Sequence, residues 1–308
     1  MALALSKRFG GLSMAARDSE SSAFPEKGLL LVGMGMGSLD GMTVEAQRAA
    51  KAADHRRYEA YTALWPDDEL ARLEEKVGSI QRVMRPEVEE PDELFTLAKN
   101  SLVALLVVGD PLQATTHVDL QLRAQDAGID CRVVHGISIT TVVTGAIGLS
   151  NYKFGRQTTL TYPYGDWIAT SPLEVLATNW EQNLHTLALL DLDPTGLGTG
   201  DQRPMRPEDA VQSMSLMWEK LQATTDEPLS EEDEPLAFRQ MATKRYLQQS
   251  FDEIPVVLCS DMGTSEQSMV ATTLGGLGDE QGGRLNCLVF PASTGEVEGK
   301  ALLRWEKE

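Results

Sequence analysis

An uninterrupted apolar run that stops at a glycine constrains the fold of this chain most strongly. Residues 101–108 (Ser-Leu-Val-Ala-Leu-Leu-Val-Val) are followed at once by Gly109-Asp110-Pro111. A β-branched run that ends in such a turn predicts a buried strand, and residues 114–127 predict the helix after it. Open α/β sheets bind ligands where their strands end. The turn is therefore either a ligand site or a simple strand-to-helix connection.

Two further strand ends carry glycine. Residues 29–32 (Leu-Leu-Leu-Val) run into Gly33-Met34-Gly35-Met36-Gly37, and Thr43 is the predicted N-cap of the next helix. Gly136 follows a third predicted strand, residues 131–135. Strands that alternate with helices predict an α/β fold with a mostly parallel sheet. We place the hinge between the two halves of the chain near residues 136–138.

The length of 308 residues is sufficient for two domains. We predict a disordered N-terminal tail at 1–27, an N-terminal α/β domain at 28–136 and a C-terminal α/β domain at 137–308. The acidic segment 226–235 predicts an exposed, mobile insertion. Residues 301–305 are the last predicted strand.

The net charge of −19 disfavours a nucleic-acid partner, because phosphate binding needs clustered Lys and Arg. The carboxylates form either a solubilising surface or an adaptation to high salt, which would indicate the cytoplasm of a salt-loving microbe. No apolar stretch approaches the ~20 residues that span a bilayer, so no membrane partner is expected. Residues 1–27 lack the pattern of a secretory signal.

Several kinds of chemistry are disfavoured by the motifs. The three cysteines and four histidines are scattered, so neither a disulfide framework nor a metal site is predicted. Ser38 stands where a dinucleotide fingerprint needs its third glycine, although Glu59 keeps a nicotinamide enzyme open. A P-loop, a Gly-x-Ser-x-Gly elbow and a Ser–His–Asp grouping are not found in the sequence.

The glycine turns suit recognition by backbone groups, because no side chain obstructs their N–H and C=O atoms. No acid, base or metal stands out as catalytic. That pattern favours a reaction whose main difficulty is alignment, and methyl transfer from a sulfonium is one such reaction.

Six spaced motifs resemble one known family. They are Gly33–Gly37 with Asp40 and Thr43-Val44, Tyr58-Glu59-Ala60-Tyr61-Thr62, Gly109-Asp110-Pro111-Leu112-Gln113-Ala114-Thr115-Thr116-His117, His135-Gly136-Ile137-Ser138-Ile139, Tyr152-Lys153-Phe154-Gly155, and Leu184-His185-Thr186-Leu187 through Leu190-Asp191. Over about residues 29 to 298 the chain resembles the diphthine synthases. These belong with the tetrapyrrole-methylase-like (class III) S-adenosylmethionine-dependent methyltransferases.

The resemblance implies two α/β domains of the tetrapyrrole-methylase type, with S-adenosylmethionine in the inter-domain cleft. It also implies a cytoplasmic homodimer. The donor contacts that it implies come from Met36, Asp110, Gln113, Ser138, Ile139 and Leu190. Near the C-terminus we expect further contacts from Met262 and from the backbone of Gly295. No residue is assigned a catalytic role, and His117 and His185 are expected to be structural.

The implied activity is N-trimethylation of the 3-amino-3-carboxypropyl group on one histidine of elongation factor 2. The products are diphthine and S-adenosylhomocysteine. The chain departs from the family pattern at residues 259–263, where an Ala-Arg pair is usual, and at Asn286 and Gly295, where histidines are usual. Two alternatives stay open: a methyltransferase of the same fold acting on a tetrapyrrole or another small molecule, and a non-catalytic donor-binding partner of elongation factor 2.

Overall fold

The computed structural model describes residues 24–200, 202–226 and 228–307, so most of the predicted tail lies outside the described residues. The first sheet is wholly parallel, as predicted, with strand order β3-β2-β4-β1-β5. Its strands are β1 (Gly28–Gly33), β2 (His55–Glu59), β3 (Gln81–Val83), β4 (Leu102–Val107) and β5 (Cys131–Val134).

Helices cover both faces of this sheet, which is why its central strands β1 and β4 are apolar and buried along their whole length. They are α1 (Val44–Ala52), α2 (Asp67–Val77), α3 (Arg85–Glu89), α4 (Asp92–Ala98) and α5 (His117–Asp126). Thr43 caps α1 as predicted, because its Oγ1 accepts a hydrogen bond from Ala46 N at 3.1 Å. Helix α5 begins three residues later than predicted, because Ala114 adopts a φ of 55°.

The second sheet is mixed, with order β6-β7-β10-β8-β9, and only β6 and β7 pair in parallel. Its strands are β6 (Thr158–Leu160), β7 (Thr186–Leu190), β8 (Pro255–Ser260), β9 (Ser268–Thr273) and β10 (Asn286–Phe290). The helices of this half are α6 (Ile139–Ala146), α7 (Ser171–Glu181), α8 (Pro207–Gln222), α9 (Glu234–Tyr246), α10 (Leu274–Leu277) and α11 (Glu296–Leu302). Helices α7 and α8 pack on the sheet over a large apolar core.

The predicted strand at residues 301–305 is wrong. Helix α11 runs into a 3-10 turn at Leu303–Trp305, and Trp305 Nε1 donates to Ile147 O at 3.0 Å. The end of the acidic segment is also helical. Asp233 caps α9 by accepting a hydrogen bond from Leu236 N at 2.9 Å. Strand β9 was not predicted, because it is an edge strand of partly exposed residues.

The strands of the two sheets fall on either side of the predicted division at residue 136, and that boundary remains a proposal. Within the described residues, no helix is both long enough and apolar enough to cross a bilayer.

Candidate functional site

Two glycine turns join each other at one edge of the first sheet. Strands β1 and β4 are parallel neighbours, so the turns that follow them leave the sheet side by side. Gly35 N donates to Gly109 O at 3.2 Å, and Gly109 N donates to Gly35 O at 2.7 Å. Both residues have a φ of 76°, a conformation that favours glycine. The two candidate ligand turns of the sequence therefore form one structural unit.

A third glycine packs against this unit. A Cβ atom on Gly136 would lie 2.2 Å from Gly109 O and 2.9 Å from Gly33 Cα. No side chain fits at such distances, so the hinge after β5 can approach the turns only because residue 136 is glycine.

Asp110 holds the turns together through its own side chain. Its Oδ1 accepts from Leu112 N at 2.9 Å, and its Oδ2 lies 2.7 Å from His135 Nδ1 and 3.2 Å from Gly136 N. The residue is buried and does not line the cleft described next. Its expected contact with a methyl donor therefore remains a prediction, and its visible role is to order the backbone.

A cleft of about 770 Å³ opens between the two sheets beside the glycine turns. Six of the eight predicted donor contacts line it, and they come from both halves of the chain: Met36, Gln113, Ser138, Ile139, Leu190 and Met262. Asp110 and Gly295 do not. Gly295 instead precedes α11, where its N donates to Glu298 Oε2 at 3.0 Å.

A short polar network runs along the cleft from the hinge to the second turn. Ser138 caps α6 by accepting a hydrogen bond from Thr140 N at 3.3 Å. The Thr140 hydroxyl in turn lies 3.4 Å from Gln113 Oε1. Ser138 and Gln113 are thus held in place on opposite elements and present polar atoms toward the cleft.

Two of the departures from the family pattern, the segment 259–263 and Asn286, contribute to the cleft wall, whereas Gly295 does not. Asp261 has a φ of 47°, and its carboxylate accepts from Arg284 N at 2.9 Å and Leu285 N at 3.0 Å. Gly263, in the turn that follows Asp261, packs against Met36 in the first half of the chain. A Cβ atom added to Gly263 would lie 2.7 Å from Met36 Cβ.

Asn286 also lines this wall and supports neighbouring loops. Its Oδ1 accepts from Gly283 N at 2.8 Å and from the Ser260 hydroxyl at 2.7 Å. The altered segment therefore forms an ordered wall of the cleft.

The motif histidines His117 and His185 make internal hydrogen bonds, and neither lines the cleft. His117 Nδ1 lies 3.0 Å from Pro111 O, and burial lowers the pKa of this imidazole. His185 Nδ1 accepts from Ala292 N at 2.9 Å, so its Nε2 donates to Glu298 at 3.1 Å. Burial opposes ionisation of Glu298, yet hydrogen bonds from Gly295, Ser150, His185 and Lys153 hold its pKa at about 2.

Glu59 is placed differently from a ribose-binding carboxylate. It is fully buried at the end of β2, accepts hydrogen bonds from the Thr62 N–H and hydroxyl, and does not line the cleft. Burial raises the pKa of this carboxyl to about 7. The geometry therefore gives no support to the nicotinamide interpretation.

Sequence reasoning missed another part of the cleft. Tyr61, Arg85, Glu89, Tyr164 and Asp191 line it. Tyr61 and Asp191 lie within motifs quoted for the resemblance, which is a signal that could have identified them. Arg85 follows the three-residue strand β3, and nothing in the local sequence marks it.

The family model for Tetrapyrrole (Corrin/Porphyrin) Methylases matches residues 28–278. A diphthine synthase from Halorubrum lacusprofundi is 30% identical over 285 residues, covering 89% of this chain and 95% of the relative. A diphthine synthase from Methanospirillum hungatei is 37% identical over 166 residues, or 53% of this chain. That match spans only 66% of the Methanospirillum protein.

A solved structure shares the fold over nearly the whole chain. The crystal structure of a diphthine synthase superposes with a TM-score of 0.71 at 27% identity, covering 90% of this chain and 95% of that one.

Proposed function

The chain belongs to the tetrapyrrole (corrin/porphyrin) methylase family, within its diphthine synthases, and from that premise we propose that it transfers methyl groups from S-adenosylmethionine to elongation factor 2. The acceptor is the amino group of a 3-amino-3-carboxypropyl chain on one histidine, and three transfers give diphthine. The observation that carries this proposal is the convergence of six expected donor contacts from both halves of the chain on one cleft.

The residues present fit an S-adenosyl donor. The cleft of about 770 Å³ lies within the usual range for small-molecule sites. Met36, Ile139, Leu190 and Met262 supply apolar wall for an adenine ring. The glycine turns offer backbone N–H and C=O groups without obstruction. We assign the donor to this part of the cleft.

The chemistry places modest demands on the protein. Bound S-adenosylmethionine would supply an activated methyl group on its sulfonium sulfur. Before each transfer the acceptor nitrogen would release one proton to water, and its lone pair would then form the new N–C bond as the methyl–sulfur bond breaks and S-adenosylhomocysteine is released. An amine that enters a desolvated cleft loses its proton more easily, so no strong enzymic base is needed. The side chains that line the cleft contribute alignment and exclusion of water.

Donor binding is tested by titrating S-adenosylmethionine into the purified protein in a calorimeter, at low and at multimolar salt. We expect saturable binding that Met36→Trp abolishes by filling the cleft. Val44→Trp is the matched control, because Val44 is 64% exposed on α1 and lies outside the cleft. Folded protein that binds no donor at either salt would refute the proposal.

Turnover separates the remaining alternatives. Elongation factor 2 carrying the unmethylated group is incubated with enzyme and donor, and methyl groups are counted by mass spectrometry alongside released S-adenosylhomocysteine. Three added methyl groups support diphthine synthesis. Donor binding without turnover would indicate the non-catalytic partner, and turnover of a tetrapyrrole alone would indicate the small-molecule methyltransferase.

The homodimer and the cytoplasmic location belong to the same proposal. Two exposed apolar side chains, Val118 and Leu122, lie one turn apart on α5, where a second subunit would cover them. Light scattering on the eluting protein tests this: a mass of twice 33.7 kDa is expected, and a monomer would contradict it.

A further inference from the structure

The part of the cleft that is lined by Tyr61 and Glu89 also contains an arginine, Arg85. Arg85 begins α3, and its backbone N donates to Gly198 O at 3.1 Å. Its guanidinium carbon lies 5.4 Å from the centre of the Tyr61 ring. A Cβ atom on Gly198 would lie 2.7 Å from Arg85 Nε and 2.8 Å from Arg85 Cβ, so the arginine side chain can lie this close to the backbone only because residue 198 is glycine. Arg85 is therefore positioned by the Tyr61 ring and by the backbone at Gly198.

The donors of this guanidinium are largely uncommitted. Arg85 Nε is buried and has no hydrogen-bond partner. Arg85 Nη1 forms an ion pair with Glu89 Oε1 at 3.9 Å, a separation that is beyond hydrogen-bond distance. Arg284 is the other cationic side chain among the described residues that line the cleft, and its Nη1 donates to Leu64 O at 3.0 Å. Arg85 thus differs from Arg284 in having a buried guanidinium N–H without a partner, which points to a ligand in the cleft.

The topology separates Arg85 from the glycine turns. Strand β2 lies between β3, which leads into Arg85, and β4, which leads into Gly109. Neighbouring strands are about 4.8 Å apart, so the two strand ends are separated by roughly 10 Å. Arg85 is therefore placed to contact a second molecule beside a donor that lies against the turns.

We propose that Arg85 binds the carboxylate of the acceptor's 3-amino-3-carboxypropyl group and so selects a carboxylate-bearing acceptor. This inference rests on the function proposed above. A planar guanidinium with open N–H groups matches a carboxylate in a bidentate hydrogen-bonded pair. Anchoring that carboxylate would leave the amino group, on the same carbon, directed toward the donor. The methionine part of the donor also carries a carboxylate, so the test must distinguish the two sources.

The test uses two synthetic acceptors. Both are peptides spanning the modified histidine of elongation factor 2; one carries the 3-amino-3-carboxypropyl group and the other a 3-aminopropyl group without the carboxylate. The wild-type enzyme should prefer the first by about 10- to 100-fold in kcat/KM, the range expected for charged hydrogen bonds. Arg85→Gln should lose that preference while its donor Kd stays unchanged.

Two control variants sharpen the result. Arg82→Gln removes a cation that lies three residues away, outside the cleft, and should keep the full preference. Arg85→Lys keeps the positive charge but lacks the planar guanidinium that can make two parallel hydrogen bonds. It should therefore retain only part of the preference for the carboxylate-bearing peptide.

Three outcomes would overturn the inference. Arg85→Gln could lose activity equally on both peptides, which would make Arg85 a structural residue. It could weaken donor binding, which would assign the carboxylate to the donor. It could also keep the wild-type preference. A wild-type enzyme that binds the donor but methylates neither peptide nor elongation factor 2 would instead refute the proposed function, and the inference with it.

Discussion

The Oδ2 atom of Asp110 lies 2.7 Å from Nδ1 of His135, and this contact joins the turn after β4 to the end of β5. The two residues are unequal partners. The His135 side chain is 71% exposed, whereas that of Asp110 is 7% exposed and accepts further bonds from Leu112 N and Gly136 N. The carboxylate therefore organises the backbone, and the imidazole is its solvent-exposed partner.

Asp110→Ala should weaken both the fold and donor binding. The substitution leaves two backbone N–H groups without their acceptor, which costs about 1–3 kcal/mol of unfolding free energy. Disorder in the turn should also raise the Kd for S-adenosylmethionine. His135→Ala, which removes one exposed partner, should change either quantity little. Denaturant unfolding and calorimetry measure the two effects. Wild-type donor affinity in Asp110→Ala would show that the donor site is misplaced.

Gly136→Ala should be among the most damaging small substitutions in this chain. The added methyl would lie 2.2 Å from Gly109 O, so the hinge and the turn would have to separate. We expect loss of donor binding together with a large drop in the thermal unfolding midpoint. Gly145→Ala provides the contrast: a Cβ there meets nothing within 4 Å, and the position is inside α6. Gly145→Ala should therefore raise the free energy of unfolding by about 0.5–1 kcal/mol. Equal effects of the two substitutions would contradict the packing argument.

The parts of the site that could be predicted are those with a local signal. The turns at Gly35 and Gly109 follow apolar strands, so their pattern is visible within ten residues of sequence. The parallel pairing of β1 and β4 follows from the alternation of strands and helices. The resemblance added residues of the second half, such as Leu190 and Met262, that do line the cleft.

The missed features depend on contacts between distant segments. Arg85 is positioned by Gly198, more than a hundred residues later, and Gln202 donates to Ala60 O across the same junction. No local sequence pattern predicts contacts between segments that are this far apart in the chain. The inward orientation of the Asp110 carboxylate likewise depends on the ends of β4 and β5 coming together, and not on the turn alone.

Glu59 should make stability depend on pH between about 4.5 and 7. Burial raises the pKa of this carboxyl from 4.5 to about 7. Within that window the folded state holds a proton that the unfolded state has lost, so stability falls as pH rises and levels off above pH 7. Each pKa unit corresponds to about 1.4 kcal/mol, which makes the full effect roughly 3 kcal/mol.

The isosteric variant Glu59→Gln tests this titration. It should match wild type near pH 4 and become progressively more stable than wild type toward pH 7, as measured by urea unfolding. Glu93→Gln is a surface control, since that side chain is 76% exposed, and should keep the wild-type pH profile. A Glu59→Gln difference that is constant with pH would exclude the buried carboxyl as the cause.

The cysteines report on occupancy of the cleft. Cys259 and Cys287 face each other across β8 and β10, and both line the cleft. A hydrogen bond that the protonated Cys259 thiol makes with Cys287, together with burial, raises the pKa of Cys259 well above its usual value, and burial raises the pKa of Cys131 to about 11. Cys259 and Cys131 should therefore react slowly with an aromatic disulfide reagent at pH 8, and Cys287 should react slowly because it is buried. S-adenosylmethionine should slow Cys259 and Cys287 further and leave Cys131 unchanged. Equal protection of all three would indicate a global change in place of a local donor site.

The net charge of −19 predicts that salt stabilises this protein. Like charges repel most strongly in the compact state, and dissolved ions screen that repulsion. The screening length falls from about 10 Å at 0.1 M salt to about 3 Å at 1 M, so most of the gain should come below about 1 M. Thermal unfolding in increasing KCl measures the effect. Sucrose at matched osmolality is the control, because it favours the compact state without screening charge. A midpoint that rises equally in sucrose, or that rises linearly to several molar KCl without levelling off, would show that solute exclusion and not screening is responsible.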